Sequence, residues 1–321
     1  MNYESVIHCF RNSVTLCHYC QQFFGSTLMK RDRASKTAEY MAFFRALESA
    51  RPPSQRLFND PLAISFLRPS LRLLTHFSRV PFAGNIIPFL IDTRWVKGAR
   101  PTGVARTVVI DERLTEALKQ GVKQVVILGA GYDTRAFRIE GIEQACVFEI
   151  DHPLTSKAKQ EHLRKQLGRL PDRVRFLAAD FNQQSLEQVV VNTDFDAGLK
   201  TFFIWEGVTN YLSAEAVDSG FRAMRKLATD VSIIFTYVDK AVIEKSDTFE
   251  GTAELKKVLT EANEHWTFGF DPSELREYLA QRGFRLIEDV GSVEFRTRYL
   301  GNDPRQLRGY EFYRVALAHG C

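Results

Sequence analysis

From about residue 106 onward, short apolar runs alternate with segments of helix-like spacing. Gln124-Val-Val-Ile-Leu128 is the first run and ends at a glycine. Residues 145–150 form a second, 174–178 a third, 201–205 a fourth and 231–237 a fifth. Runs this short and continuous suit strands buried on both faces. Helical spacing falls over 133–140, 153–168, 183–191 and 213–228. Strands joined through helices predict a parallel sheet covered on both sides. Pro153 suits a first helical turn, where a missing N–H is harmless. Ser213 is a natural cap for the helix behind it. A further helix opens at Asp271-Pro272-Ser273 and closes at Gly283, and 284–290 and 310–317 read as two last strands. The expected fold is α/β, a sheet of seven strands with the last two closely linked. Residues 240–270 interrupt the alternation and are expected to form a lid insertion over the active face.

Upstream of this pattern, residues 31–105 read as helices broken at Pro52, Pro53, Pro61, Pro69 and Pro81. The expected organisation is an N-terminal extension (1–30), a helical cap (31–105) and a sheet domain (106–321). The chain of 321 residues is long enough to bury a large core. Lys and Arg number 43 against 39 Asp and Glu, a surplus of +4 too small and scattered to suggest nucleic acid. The longest apolar stretch, 80–91, is broken by Pro81, Gly84, Asn85 and Pro88, so no membrane partner is expected. The five cysteines form an odd set with no secretory signal before them, which suggests reduced thiols and a cytoplasmic location. Cys9, Cys17 and Cys20, with a nearby histidine, raise the question of zinc. Their spacing is irregular and no second pair follows, so no metal is expected. Nothing in the sequence sets an oligomeric state.

In open α/β sheets, ligands bind beyond the carboxyl ends of the strands. Four successive run ends carry Gly129-Ala130-Gly131, Asp151, Asp180 and Glu206. A glycine turn lets a ligand approach the backbone closely and meet N–H groups of a helix start. Asp151 lies 20 residues after Gly131, the spacing at which an acid meets ribose hydroxyls. Asp180 would lie near the adenine edge. A dinucleotide fingerprint needs a third glycine where this chain has Thr134, and Asp133 would repel a diphosphate. A cationic cofactor without phosphate, S-adenosylmethionine, suits the acidic set better. Glu149, two positions before Asp151, is expected to face away from the ligand and pair with a lysine.

Three blocks carry a resemblance: Gly129-Ala-Gly-Tyr-Asp-Thr-Arg-Ala-Phe-Arg138, Val147-Phe-Glu-Ile-Asp-His-Pro153 and Phe203-Ile-Trp-Glu-Gly-Val-Thr-Asn-Tyr-Leu212. Together they resemble the leucine carboxyl methyltransferase-like family, in its bacterial branch of S-adenosylmethionine-dependent O-methyltransferases often linked to polyketide or secondary metabolism. Ser35-Lys-Thr-Ala38, Leu57-Phe-Asn-Asp-Pro-Leu62 and Arg298-Tyr-Leu300 are similar to the same branch. The resemblance implies a Rossmann-like methyltransferase sheet of seven strands with the last one antiparallel and helical additions before it, that Arg106 grips the cofactor's carboxylate, and that Lys36 matches a basic residue of an N-terminal lid. It places Gly129 and Gly131 at the cofactor turn, Asp151 on the ribose, Asp180 and Phe181 at the adenine, and Glu206 at the methionine portion. Eukaryotic members methylate a protein C-terminus, but this chain lacks their typical first motif.

Methyl transfer needs alignment of nucleophile, methyl and sulfur, and proximity supplies about 7–11 kcal/mol of it. A carboxylate acceptor needs no base, whereas a hydroxyl usually does. Tyr211, Tyr237, His265 and Tyr299 are candidates to face the acceptor, and Arg298 is a candidate two-point partner for a substrate carboxylate. Packing at a strand edge is the competing role for Arg298 and Tyr299. The favoured function is O-methylation of a small carboxylate or hydroxyl compound. The alternatives are a protein C-terminal carboxyl methyltransferase, a nicotinamide oxidoreductase and a non-catalytic adenosyl-binding protein.

Overall fold

The structure is a computed structural model that describes residues 36–80, 86–94, 97–181, 184–245, 249–250, 252–262, 264–303 and 308–321. The extension 1–30, with Cys9, Cys17 and Cys20, lies outside the described residues.

The apolar runs become strands β1 (Gln124–Leu128), β2 (Cys146–Asp151), β3 (Val174–Ala178), β4 (Thr201–Trp205) and β5 (Val231–Val238). With β6 (Phe284–Gly291) and β7 (Tyr313–Gly320) they form one seven-stranded sheet in the order β3-β2-β1-β4-β5-β7-β6. β1 to β5 are parallel, and β7 runs antiparallel between β5 and β6. The β3-β2-β1 half reverses direction at β1/β4, so the crevice for a ligand opens above β1.

Side chains alternate across β1 with a period of two, and each set enters a separate core. Val126 and Leu128 join Phe148, Phe203 and Phe235 on one face, under helices carrying Phe221 and Leu279. Val125 and Ile127 join Val147, Phe202 and Ile204 on the other, against Ala105, Val109 and Leu114. A third cluster unites the N-terminal helices α1 (Lys36–Ala50) and α2 (Pro69–Phe77) through Phe43, Leu47, Phe66 and Leu71. Helix α3 (Ile86–Arg94) leads to α4 (Ala99–Lys119). The long α4 lies between the sheet and α1, so residues 100–111 are buried on every side. The boundary expected at 105/106 therefore falls inside a continuous helix that belongs to both parts.

Among the described residues, the remaining α-helices are α5 (Arg135–Arg138), α6 (Pro153–Leu167), α7 (Leu186–Val190), α8 (Ala214–Leu227), α9 (Ala241–Glu244), α10 (Thr252–Ala262), α11 (Leu275–Ala280) and α12 (Ser292–Leu300). Ser213 caps α8 by accepting the Ala216 N–H, and Pro153 opens α6. No described helix is long and apolar enough to cross a membrane.

Two expectations are corrected. The last strand begins at Tyr313, not at 310, because Tyr310 has φ 57° and cannot extend a strand. Residues 292–300 are helical and are not a strand edge. Ser292, Phe295 and Arg296 are buried at helical spacing, and the buried arginine disguises the apolar stripe.

Candidate active site

At the carboxyl ends of β1, β2 and β4 lies a cavity of about 530 Å³. Gly129, Gly131, Asp151, Asp180, Phe181 and Glu206 all line it. Arg106 reaches it from α4, and Tyr211 from the turn after β4. The 240–270 segment contributes Leu255, Leu259, Glu264 and Trp266, and α1 contributes Thr37, Tyr40 and Met41. The floor thus comes from the sheet, while α1 and the segment with Leu255, Leu259, Glu264 and Trp266 supply walls that meet where Thr37 bonds Glu264.

The glycine turn is built for close approach. Gly129 has φ +63°, and a Cβ there would lie 2.4 Å from Val208 Cγ2. Its N–H donates to the Ile150 carbonyl (2.8 Å), which ties the end of β1 to β2. Gly131 follows with φ +44° and donates its N–H to Asp151 Oδ2. Asp151 Oδ1 accepts the His152 N–H at 2.6 Å. Burial pushes the Asp151 carboxyl up, and those two N–H groups pull against it. One lone pair on each oxygen remains for a ligand.

Beside this turn runs a chain of buried charges. Arg106 Nε donates to Glu206 Oε1 at 2.7 Å, and Arg135 Nη1 donates to Glu206 Oε2 at 2.6 Å. Arg135 also holds Asp133 and reaches Asp111 at 2.7 Å, and Arg138 meets the same Asp111. Burial works against charge on Glu206, but Arg135 and Arg106 outweigh it and draw its carboxyl down. Burial likewise opposes Asp133, yet Arg135 and Lys159 pull it to about 2. Arg106 Nη2 points at Met41 Sδ, 3.6 Å away, a weak acceptor that a ligand oxygen would displace. Arg45 is taken by Asp60 (2.9 Å) and by the Tyr132 carbonyl. Asp111, Asp133 and Arg135 were not among the candidates from sequence. The signal was present, since Asp133 and Arg135 stand inside the first motif, but their partners lie far away in the chain.

Glu149 is absent from the cavity wall and pairs with Lys159 of α6 at 2.6 Å. It does so on the same face of β2 as Asp151, since side chains two apart share a face.

Four sequence candidates lie elsewhere. Arg298 is on α12, next to Glu294 (3.1 Å) and Glu288 (3.6 Å), and Tyr299 donates to Glu112. Neither lines the cavity, so the substrate contact expected of them has no place there. The helix that sequence patterning missed carries both away from the strand ends. Tyr237 donates to Asp289 and is likewise off the wall, as is the exposed His265. Lys36 opens α1 beside Thr37, and its side chain lies outside the described set. Tyr211 does face the cavity. Burial and the Glu264 carboxylate push its phenol far above the usual tyrosine range, so it stays protonated and donates its hydrogen bond to Glu264.

Among known proteins, the Bacillus subtilis "Putative S-adenosyl-L-methionine-dependent methyltransferase YktD" is 28% identical over 298 residues, covering 88% of this chain and 97% of the relative. A Frankia alni protein of the same description is 35% identical over 189 residues, 57% of this chain and 61% of its own length. Among solved structures, a "putative methyltransferase" from Thermobifida fusca YX superposes with TM-score 0.54 at 13% identity, covering 91% of this chain and 96% of the other. A DUF574 family protein from Streptomyces avermitilis gives TM-score 0.54 at 11% identity, covering 87% and 97%. At these identities the structures establish the shared fold. The family model described as leucine carboxyl methyltransferase matches residues 38–225, more than half of the chain and all three motif blocks. This chain belongs to the leucine carboxyl methyltransferase family.

Proposed function

We propose that this chain is an S-adenosylmethionine-dependent methyltransferase that modifies oxygen, a hydroxyl or a carboxylate, on a small molecule. The observation that carries the cofactor is Asp151: it ends β2 on the cavity wall, its two oxygens fixed by the Gly131 and His152 N–H groups. A carboxylate fixed in that way presents its free lone pairs to a vicinal pair of ribose hydroxyls. The composition of the wall supports the choice of cofactor. Asp133, Asp151, Asp180 and Glu206 face it against Arg45 and Arg106. That excess of carboxylates suits a ligand with an ammonium and a sulfonium. It repels a diphosphate, and Asp133, held ionised at the first turn beyond the glycines, adds to the repulsion. The oxidoreductase alternative loses support on the same ground.

The remaining roles follow the wall. Gly129 and Gly131 give the close approach, and Asp180 with Phe181 bounds the adenine end. Arg106 is assigned to the ligand's carboxylate through the nitrogen now facing Met41, and Lys36 to the lid at the start of α1. Glu206 keeps one lone pair on each oxygen for an ammonium. Bound S-adenosylmethionine supplies a methyl on a positively charged sulfur, a leaving group that needs no further activation. The protein's task is then to hold the acceptor oxygen in line and keep water out. A cavity of about 530 Å³ lies within the small-ligand range of roughly 300–1,000 Å³. Leu255, Leu259, Glu264, Trp266 and the start of α1 wall it beside the strand ends, and a cavity of that size favours a compact acceptor over a protein tail.

Isothermal titration with S-adenosylhomocysteine, with NAD in parallel, tests the assignment. Micromolar binding of the first and none of the second is the expected result. Binding of NAD alone overturns it.

A further inference from the structure

One part of the cavity wall is largely aromatic and differs from the rest. Tyr211, Glu264, Trp266, Tyr310 and Tyr313 form it, with Leu259 of α10. Two distant segments converge on its one carboxylate. Thr37 Oγ1, in the first turn of α1, donates to Glu264 Oε1 at 2.6 Å. Tyr211, in the turn after β4, donates its hydroxyl to Glu264 Oε2 at 2.9 Å. Each oxygen thus holds one donor and retains one lone pair on a largely aromatic wall.

Tyr310 adds an independent sign. It is the one non-glycine residue with positive φ among the described residues, at 57°. That conformation is costly for a bulky side chain, and such outliers gather at ligand sites. Its ring lies 6.4 Å from that of Tyr313 at an interplanar angle of 22°. Charge decides between acceptor types. Among the described residues, both wall arginines are engaged by carboxylates, Arg106 by Glu206 and Arg45 by Asp60. An acceptor carboxylate at this wall would meet Glu264, and the nearby guanidinium of Arg106, 4.9 Å from the centre of the Tyr313 ring, already holds Glu206 and is assigned to the cofactor's carboxylate. An aromatic hydroxyl would meet a hydrogen-bond acceptor and flat apolar surfaces.

On the reading that this cavity binds S-adenosylmethionine, we infer that the acceptor is an aromatic alcohol seated against Trp266, Tyr310 and Tyr313, and that Glu264 takes its proton. The acceptor's O–H bond breaks toward Glu264, whose carboxylate gains the proton. The acceptor oxygen's electron pair forms the O–CH₃ bond, and the C–S bonding pair stays on sulfur, leaving a neutral thioether and an aryl methyl ether. Thr37 and Tyr211 position the carboxylate, and the proton passes from it to water between turnovers.

The test compares 2-naphthol, its carboxylate counterpart 2-naphthoate, and the more acidic 4-nitrophenol, on the full chain saturated with S-adenosylhomocysteine. Calorimetry should show naphthol binding and naphthoate binding at least tenfold weaker. Glu264→Gln should leave S-adenosylhomocysteine affinity within twofold and weaken naphthol about tenfold or more, the worth of a hydrogen bond to a charged group. With S-adenosylmethionine, Glu264→Gln should cut the naphthol rate by about 10²–10⁴, the range for general-base catalysis, and the 4-nitrophenol rate much less. Glu264→Asp should recover part of the naphthol rate. Equal losses for both phenols, preference for naphthoate, or no phenol binding beside intact S-adenosylhomocysteine binding would overturn the acceptor assignment and leave the cofactor assignment standing. Failure of the wild-type chain to bind S-adenosylhomocysteine would remove both.

Discussion

Lys159 of α6 and Glu149 of β2 meet at 2.6 Å with each side chain only 1% exposed. Two charges withdrawn from water so completely attract strongly but lose their hydration, and the balance is often near zero. Burial pushes the Glu149 carboxyl up to about 7 against the pull of Lys159. Removing one partner strands the other. Glu149→Leu or Lys159→Leu alone should therefore lower stability by about 3–5 kcal/mol, and the double replacement by much less. Urea denaturation of the wild type, both singles and the double gives the cycle. Additive losses would show that the pair does not act as a unit.

The same pair sets a pH dependence. The Glu149 carboxyl lies higher in the folded chain than its ordinary value of 4.5. The folded state then binds more protons than the unfolded state between 4.5 and about 7. Stability from this group is fully present below that window and is lost as pH rises through it. Denaturation midpoints across this range should fall more steeply for the wild type than for the double variant. Parallel slopes would sink the assignment.

Asp151→Asn tests the ribose contact without emptying the position. Asp151 accepts N–H groups on both oxygens, and an amide offers only one acceptor oxygen. One backbone N–H then faces an amide NH₂ and the ligand loses a charged acceptor. Affinity for S-adenosylhomocysteine should fall about 10- to 100-fold, matching one hydrogen bond to a charged group. Calorimetry measures it, with thermal melting to confirm folding. Unchanged affinity would exclude Asp151 from the cofactor site.

The parts of the fold that were legible share one physical property. β1 and β4 occupy the expected residues because central parallel strands demand nearly continuous apolar runs, which no amphipathic helix reproduces. The strand-end residues Gly129, Asp151, Asp180 and Glu206 were legible for a related reason: where the run stops, the chain must turn toward the crevice. The helix 292–300 was not legible, since its buried stripe contains Arg296, whose charge is satisfied by the Ser292 and Arg308 carbonyls. The links from Glu206 to Arg135 and Arg106 span 71 and 100 residues, so no local pattern announces them. Glu264 stayed hidden likewise, because its partners Thr37 and Tyr211 lie in two distant segments.

Gly129→Ala separates backbone strain from packing at the cofactor turn. A Cβ there would stand 2.4 Å from Val208 Cγ2, on a backbone with φ +63°. The left-handed conformation costs a side-chain-bearing residue about 1–2 kcal/mol. Overpacking adds roughly 1–3 kcal/mol. Val208→Ala in the same chain should recover the second part and leave the first. Urea titrations of both singles and the double measure the coupling. If Val208→Ala restores nothing, the close approach to Val208 is not what excludes a side chain at 129.

Arg106→Ala distinguishes the two ends of the cofactor. Arg106 holds Glu206 through Nε, while Nη2 points at the weak acceptor Met41 Sδ. Loss of the guanidinium leaves Glu206 still bonded to Arg135, so the local charge network keeps one of its two cations. The fold should therefore survive, and the missing contact should be felt mainly by a ligand that carries a carboxylate. S-adenosylmethionine has one, whereas 5′-methylthioadenosine has the same ribose and adenine without it. Affinity for the first should fall about 10- to 100-fold, as for other charge-assisted contacts, and for the second by less than threefold. Calorimetry with both ligands on wild type and variant gives the comparison directly. Equal losses would mean that Arg106 acts through Glu206 and the shape of the turn, and the carboxylate would need a different partner.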